Sequence, residues 1–378
     1  MDYIALRDTA AVRRDDDLGV WIVTGFDEVT ELLRGGALSA EWPVRGTTRL
    51  HDGQPGSDGA MRTADTVRRW FMFNDEPRHQ VLRGLVAPLL TAARVARLRP
   101  FVEETVDELL AAVADEIDVM QDLAVPLASR VVCRLLGLPR SVAPRMAGWG
   151  RDIASLLVAD YLPEVVERGT AALREIEDVV ALARCTPLPE DSVLRALAEA
   201  AGEGRIAEED IAPTASLLVF AGFDTTSTFI GKAVRTLLHT GRWGRGLPED
   251  LAPVVEELLR FDTSVQQVAR IAVAPVEVAG HVIEPGELVL LMLGVANRDG
   301  RTVPDPDAFD TDRRTSRHLS FGYGAHYCLG SGLARLEATT ALTRLAERFG
   351  DAEPVGPPVL RPRHGVTVLE HLGLRRRR

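Results

Sequence analysis

One of the chain's three cysteines, Cys328, lies in the stretch "HLSFGYGAHYCLGSGLARLEA", residues 318–338. Gly322, Gly324 and Gly330 surround it, and glycine lets a backbone take positive φ and approach a flat ligand closely. A helix opens just after it, with Leu329, Leu333 and Leu336 as an inward stripe. The free N–H groups at a helix start stabilise negative charge, lower a thiol pKa and favour the thiolate. A thiolate held by backbone donors in an apolar loop suits the axial position of haem iron, onto which it pushes electron density. An isolated cysteine is more commonly a small buried hydrophobe, and the loop taken alone leaves both readings open. Cys133 and Cys185 are remote from it in sequence, and the total is odd. Neither a disulfide framework nor a clustered zinc site is expected.

Three further patterns carry chemistry. In "AGFDTT", residues 221–226, an acid and two hydroxyls interrupt an apolar helix, where they are expensive without partners. Taken alone, the plain reading of Asp224 and Thr225 there is a hydrogen-bonded kink. In "EELLR", Glu257 and Arg260 are three apart and share a helix face, a spacing that usually marks a surface ion pair of little worth. In "EPRHQVLRGLV", His79 and Arg83 are four apart on one helical face and could bind carboxylates.

The elements that must position these residues are mostly helical. Residues 20–34 read as a short strand followed by a helix, and 40–74 as a long irregular loop. From Pro77 to about Gly202 the period is that of helices. Residues 208–240 form a helix apolar on nearly all sides, which predicts burial through the middle of the protein; Asp210 is placed to cap its start, and Pro213 is tolerated in its first turn. A second helix covers "PEDLAPVVEELLRF". Residues 268–293 turn to strand pattern, with Ala-Gly and Glu-Pro-Gly-Glu marking hairpin turns. A Pro-rich meander over 297–317 leads into the cysteine loop and a final amphipathic helix. The terminal "RRRR" reads as a frayed, solvated tail.

Composition bounds the partners. The 378 residues are 46% hydrophobic and 26% charged, an ordinary globular balance, and the net charge of −11 argues against nucleic acid. No apolar run at the N-terminus can act as a signal peptide and none later reaches membrane-spanning length. A cytoplasmic monomer without membrane contact is expected. No internal repeat or low-complexity linker appears, so residues 1–378 read as one domain.

The run Phe-Gly-x-Gly-x-His-x-Cys-Leu-Gly over 321–330 closely resembles the haem-binding loop of the cytochrome P450 superfamily, soluble bacterial type. The resemblance covers the chain from Trp21 onward, with the other patterns in the family's order. It implies a mainly α fold, a triangular helical prism with a small β subdomain and haem between the long central helix and the cysteine-loop helix. It implies heme b (iron protoporphyrin IX) ligated by Cys328, with Phe321, Gly322 and Gly330 shaping the loop. Ala221 and Gly222 would leave room for dioxygen, the co-substrate, and Asp224 and Thr225 would match the family's acid–alcohol pair. His79, Arg83, Arg270 and His326 match propionate partners. Glu257 and Arg260 would be buried and closed by Arg313 from the meander "NRDGRTVPDPDAFDTDR".

By the same resemblance the reaction is a monooxygenation of a small organic molecule, a natural-product intermediate, at a C–H or C=C bond. The substrate is free, peptide-like or carrier-tethered. Electrons would come ultimately from NAD(P)H through a separate ferredoxin and ferredoxin reductase, with Arg94, Arg97, Arg314 and Arg317 as a landing patch. Specificity would come from the 40–74 region, Leu217, Phe220, Gln266, Val268 and the loop with Val366 and Thr367, Gln266 being a polar anchor. Oxidative aromatic coupling or peptide cross-linking on the same haem fold, without oxygen insertion, is the alternative activity. A non-catalytic haem sensor and a haem-free thiol protein are remoter ones. Three departures stand out. The family's Asp-Pro-Pro-Glu-His-Thr is here Asp75-Glu-Pro-Arg78-His79-Gln80, with Arg78 in place of an acid. The connection "HTGRWGRGLPED" is abbreviated, and the stretch 152–190 is compact.

Overall fold

In the computed structural model, described over residues 3–41, 57–158, 162–244, 247–313, 317–363 and 366–377, the chain gathers into two compact units. One comprises Met1–Trp42 and Lys232–Ser331, the other Pro43–Gly231 and Gly332–Arg378. Among the described residues no helix is long and apolar enough to cross a membrane.

The first unit is built on a five-stranded sheet in the order Val12–Asp15, Val20–Val23, Leu288–Leu291, Val268–Ala272, Leu38–Ser39. Val20–Val23 is buried at every position and pairs in parallel with Leu288–Leu291, Val20 opposite Leu288 and Val23 opposite Leu291; a strand covered on both faces needs such a continuous apolar run. The helix Phe26–Arg34 lays Phe26, Val29 and Leu32 on the sheet, in one core with Trp21, Val289 and Leu291. The Ala-Gly signal is a two-residue turn, Ala279 and Gly280 both at positive φ, joining Val276–Val278 to His281–Ile283. The helix Ala252–Phe261 precedes the sheet's Val268–Ala272 strand and carries Glu257 and Arg260.

The second unit is helical, with a three-stranded sheet in the order Glu116–Asp118, Val366–Arg375, Glu353–Arg363. The long helix Ile211–His239 runs from this unit into the first and ends at Gly241, whose φ of +67 lets Arg242 N–H return 2.8 Å to Leu237 O. Ser331–Phe349, the helix after the cysteine loop, likewise begins in one unit and continues in the other.

Three sequence expectations change. The region read as irregular contains the helix Ser57–Arg68 and a short 3-10 turn, Phe71–Phe73; only a thin apolar stripe, including Ala64 and Val67, is buried, too little to raise a helical period. Residues 42–56 of that region lie outside the described residues. The final arginines are exposed where described, as a solvated tail would be, but the first two are tied down. Arg375 ends a strand and pairs with Glu116 at 2.6 Å, and Arg376 N–H donates to Asp115 O at 2.9 Å. Asp210 does not cap the long helix in the forward direction. It ends a 3-10 turn, Glu208–Asp210, and its Oδ2 accepts from Ala207 N–H behind it.

Candidate active site

In the first unit, the cysteine loop closes on itself: Cys328 N–H donates 2.8 Å to Phe321 O and Gly322 N–H donates 2.8 Å to Leu319 O. Gly322 and Gly324 hold φ of +70 and +73, a region that disfavours any side chain. A Cβ at Gly324 would stand 2.5 Å from the Leu33 carbonyl oxygen, so the loop lies flat on the end of the Phe26–Arg34 helix. Cys328 is half-buried, three residues before the helix that starts at Ser331. Phe321 is half-buried against His318 and Tyr327, with ring centroids at 5.9 and 6.3 Å. His326 ends the 3-10 turn Gly324–His326. At Gly330 a Cβ would meet no protein atom within 4 Å. Cys133 differs: burial pushes its thiol up to about 12, leaving it a core residue. Cys185 is exposed.

The loop is pinned from behind by a buried polar network. Arg260 is bidentate on Glu257, Nε to Oε2 at 2.8 Å and Nη2 to Oε1 at 2.7 Å. Arg313 Nε adds a bond of 3.2 Å to Glu257. Arg260 also donates to the main-chain oxygens of Asn297, Pro306 and Ala308, so the pair holds the meander as well as itself. Burial pushes Glu257 up, but the Arg260 hydrogen bond and charge, the Asp310 N–H and Arg313 outweigh it and leave its pKa lowered. Sequence reasoning missed the link from here to the cysteine loop. The Asn297 amide donates 2.9 Å to Ser320 Oγ and accepts 2.6 Å from Leu319 N–H, while Ser320 Oγ donates 2.7 Å to Leu259 O. Asn297 and Ser320 lie within contiguous quoted motifs, but neither has a reactive side chain to draw attention.

The remaining first-unit candidates line the strand beside the loop. Arg270 is half-buried and donates 2.8 Å to Ala269 O. Val268 packs against the sheet core. The Gln266 side-chain amide donates to Thr263 O, and the Gln266 main-chain carbonyl accepts from Gly294 N–H at 3.0 Å. Arg317 spreads over the Phe26 ring, 5.3 Å from its centroid, and Arg314 lies outside the described residues.

In the second unit, the long helix keeps one open face. Phe220, Ala221, Asp224, Thr225 and Thr228 are partly exposed along it, while most neighbouring positions are buried; their spacing is that of a single helical face. Leu217, on the same face, is buried. Thr225 Oγ1 donates 2.7 Å to Ala221 O, so the hydroxyl is fixed one turn back along its own helix. Gly222 is likewise partly exposed, and a Cβ there would come within 2.9 Å of the Val132 side chain, so its smallness serves close helix packing. Phe220 stacks on Trp70, centroids 5.6 Å apart and 15° between planes, and Trp70 Nε1 donates 3.0 Å to Ser216 Oγ.

His79 and Arg83 lie on the helix Arg78–Val86, His79 buried with Nδ1 3.2 Å from Glu76 Oε1 and Arg83 half-buried. Arg94 and Arg97 are on the helix Ala92–Ala111, and Arg97 is exposed. Val366 opens its strand opposite Arg363, with Thr367 opposite Pro362; their side chains lie outside the described residues.

The donor set fits an iron porphyrin. One half-buried cysteine sits in a glycine-flattened loop of the first unit, and open space lies over Gly330, as a flat ligand with a thiolate-held iron needs.

The comparisons with known proteins agree. Residues 251–369 match the family model described as cytochrome P450. Cytochrome P450 107B1 of Saccharopolyspora erythraea is 34% identical, over 96% of this chain and 91% of that protein. The 6-deoxyerythronolide B hydroxylase of the same organism is 35% identical, over 92% and 87%. The crystal structure of CalO2 superposes with a TM-score of 0.90 at 32% identity, covering 99% of this chain and 95% of that one. Likeness of this extent, in sequence and in fold, makes this chain a member of the cytochrome P450 superfamily and a monooxygenase of its bacterial type.

Proposed function

We propose that the chain inserts one atom of dioxygen into a C–H or C=C bond of a small natural-product intermediate, with electrons passed from NAD(P)H by a separate ferredoxin reductase and ferredoxin. The observation that carries this is the open face of the long helix, where an acid, Asp224, and an alcohol, Thr225, stand beside a small residue, Ala221, on an otherwise buried element. Relatedness to a hydroxylase of 6-deoxyerythronolide B supports the substrate class.

Bound haem supplies dioxygen activation and substrate oxidation. Cys328 would hold its iron, and His79, Arg83, Arg270 and His326 its carboxylates. Phe321 and the glycines at 322 and 330 keep the loop flat enough for such a ligand. The Thr225 hydroxyl is held in place by its bond to Ala221 O, and the Asp224 carboxyl one position away is the source from which protons are replenished. Positioned proton transfer of this kind is worth about 10²–10⁴ in rate. Leu217, Phe220, Val268 and the Val366–Thr367 strand start would set an apolar pocket, with Gln266 as a polar anchor.

The test begins with a spin-state titration of the ferric holoprotein against macrolide-like compounds, terpenoids, aromatic amino acids, short Tyr/Trp peptides and carrier-bound acyl groups. Turnover of the responding compound under ¹⁸O₂ should place label in the product. An unlabelled, coupled product would replace oxygen insertion by oxidative coupling. Thr225→Ala should consume electrons without matching product, and unchanged coupling would remove Thr225 from proton delivery. Cys328→Ala should abolish the thiolate-type ferrous–CO spectrum; an unchanged spectrum would overturn the ligand assignment.

A further inference from the structure

Asp210 is 3% exposed, and both its oxygens are used. Oδ1 accepts from Arg69 Nη1 at 3.0 Å and from Arg78 Nη2 at 2.6 Å, and Oδ2 accepts from Ala207 N–H at 3.2 Å. Arg69 and Arg78 bracket the connection between the helices Ser57–Arg68 and Arg78–Val86. A single buried carboxylate at the foot of the long helix therefore ties both ends of this connection. Trp70 Nε1 on Ser216 Oγ ties its start a second time. Arg78 Nε also donates 3.2 Å to Asn74 Oδ1, and Asn74 Nδ2 donates 2.7 Å to Arg68 O. The fork of Arg78 is thus held at two points before His79, the very next residue.

We propose that Asp210, acting through Arg78, is the positioning residue for the His79–Arg83 face. The proposal rests on the reading of that face as a carboxylate-binding surface for haem. Its basis is geometric. Arg78 is the first residue of the helix that carries both groups, and a planar guanidinium bonded to two fixed acceptors sets the azimuth of a helix start. A buried carboxylate with arginine partners adds little net stability once desolvation is counted, whereas a role in fixing register uses the geometry it does have. The arrangement also accounts for Arg78 standing where the family motif has an acid: its charge is spent on Asp210, so it is not itself a carboxylate partner of haem.

The test measures haem release from the holoenzyme to excess apomyoglobin, followed in the Soret band. Arg78→Met leaves Asp210 paired with Arg69, so the fold is retained; Asp210→Asn is the second variant. Each should release haem about tenfold faster, the scale of a lost charge-assisted hydrogen bond, and Arg78→Lys should recover part of the loss. In a His79→Gln/Arg83→Gln background, Arg78→Met should add less than about twofold, because its effect passes through those two residues. Equal acceleration in both backgrounds would make the pair a general structural one and overturn the proposal. Acceleration by His79→Gln/Arg83→Gln with none by Arg78→Met or Asp210→Asn would overturn it while leaving the carboxylate reading intact. No acceleration by His79→Gln/Arg83→Gln would overturn both.

Discussion

Glu257 and Arg260, one helical turn apart, face each other through two hydrogen bonds of 2.7 and 2.8 Å with neither side chain exposed at all. Such a pair is costly to leave half made. Glu257→Ala strands a buried guanidinium, releases Arg313 and frees the Asp310 N–H. The expected loss is about 3–5 kcal/mol, read as a fall in the denaturant midpoint of the holoprotein. A loss under about 1 kcal/mol, the value of an exposed pair, would show that the meander holds its shape without it.

The same carboxylate sets an acid limit. Its pKa is lowered in the folded state, burial being outweighed by Arg260, Asp310 N–H and Arg313, so its contribution is complete above the ordinary value of 4.5 and disappears as pH falls through the lower folded value. Stability should therefore decline with acid from about pH 4.5 downward. Glu257→Gln should lower stability at neutral pH and flatten that decline. Parallel acid limbs in the two proteins would assign the transition to other carboxylates.

What the sequence disclosed depended on whether the partners are contiguous. The cysteine loop and the Glu257–Arg260 spacing are readable because each lies within a few residues of its own chemistry. The Arg78–Asp210 bond joins positions 132 apart and Arg69–Asp210 positions 141 apart, and nothing local in "IAEEDIAP" distinguishes an acid that caps a helix from one that receives two arginines. Gly222 is ambiguous for a related reason: small residues leave room for a ligand or for a neighbouring helix, and only the position of Val132 reveals the second need. The strand Glu353–Arg363 was hidden by four prolines, which argue against a central strand and are tolerated at an edge; it is indeed the outer strand of its sheet.

Ser320 offers a sharper test of how the loop is held. Its hydroxyl bridges the Asn297 amide and the Leu259 carbonyl, so Ser320→Ala leaves two buried partners unmet. The expected cost is about 1–3 kcal/mol, felt first in the segment leading to Cys328. A larger share of inactive thiol-type ferrous–CO spectrum should appear in mild denaturant, before global unfolding by circular dichroism. Coincident transitions in the two signals would mean that the bridge stabilises the protein generally and not the loop.

Glu337 gives the opposite pH signature to Glu257. It lies on the helix after the cysteine loop, 2% exposed, and its Oε2 has no hydrogen-bond partner among the described residues. Burial raises its pKa well above 4.5, so the folded protein keeps this proton over a range where the unfolded chain has lost it. In that range stability falls as pH rises, because the native state binds the extra proton. Glu337→Gln removes the titration while keeping the shape. Its melting temperature should change less than that of the parent protein between about pH 5.5 and about pH 8, a range wholly above the ordinary glutamate value of 4.5. An identical pH slope in parent and variant would mean that Glu337 is ionised in the folded state and has found a cationic or water partner.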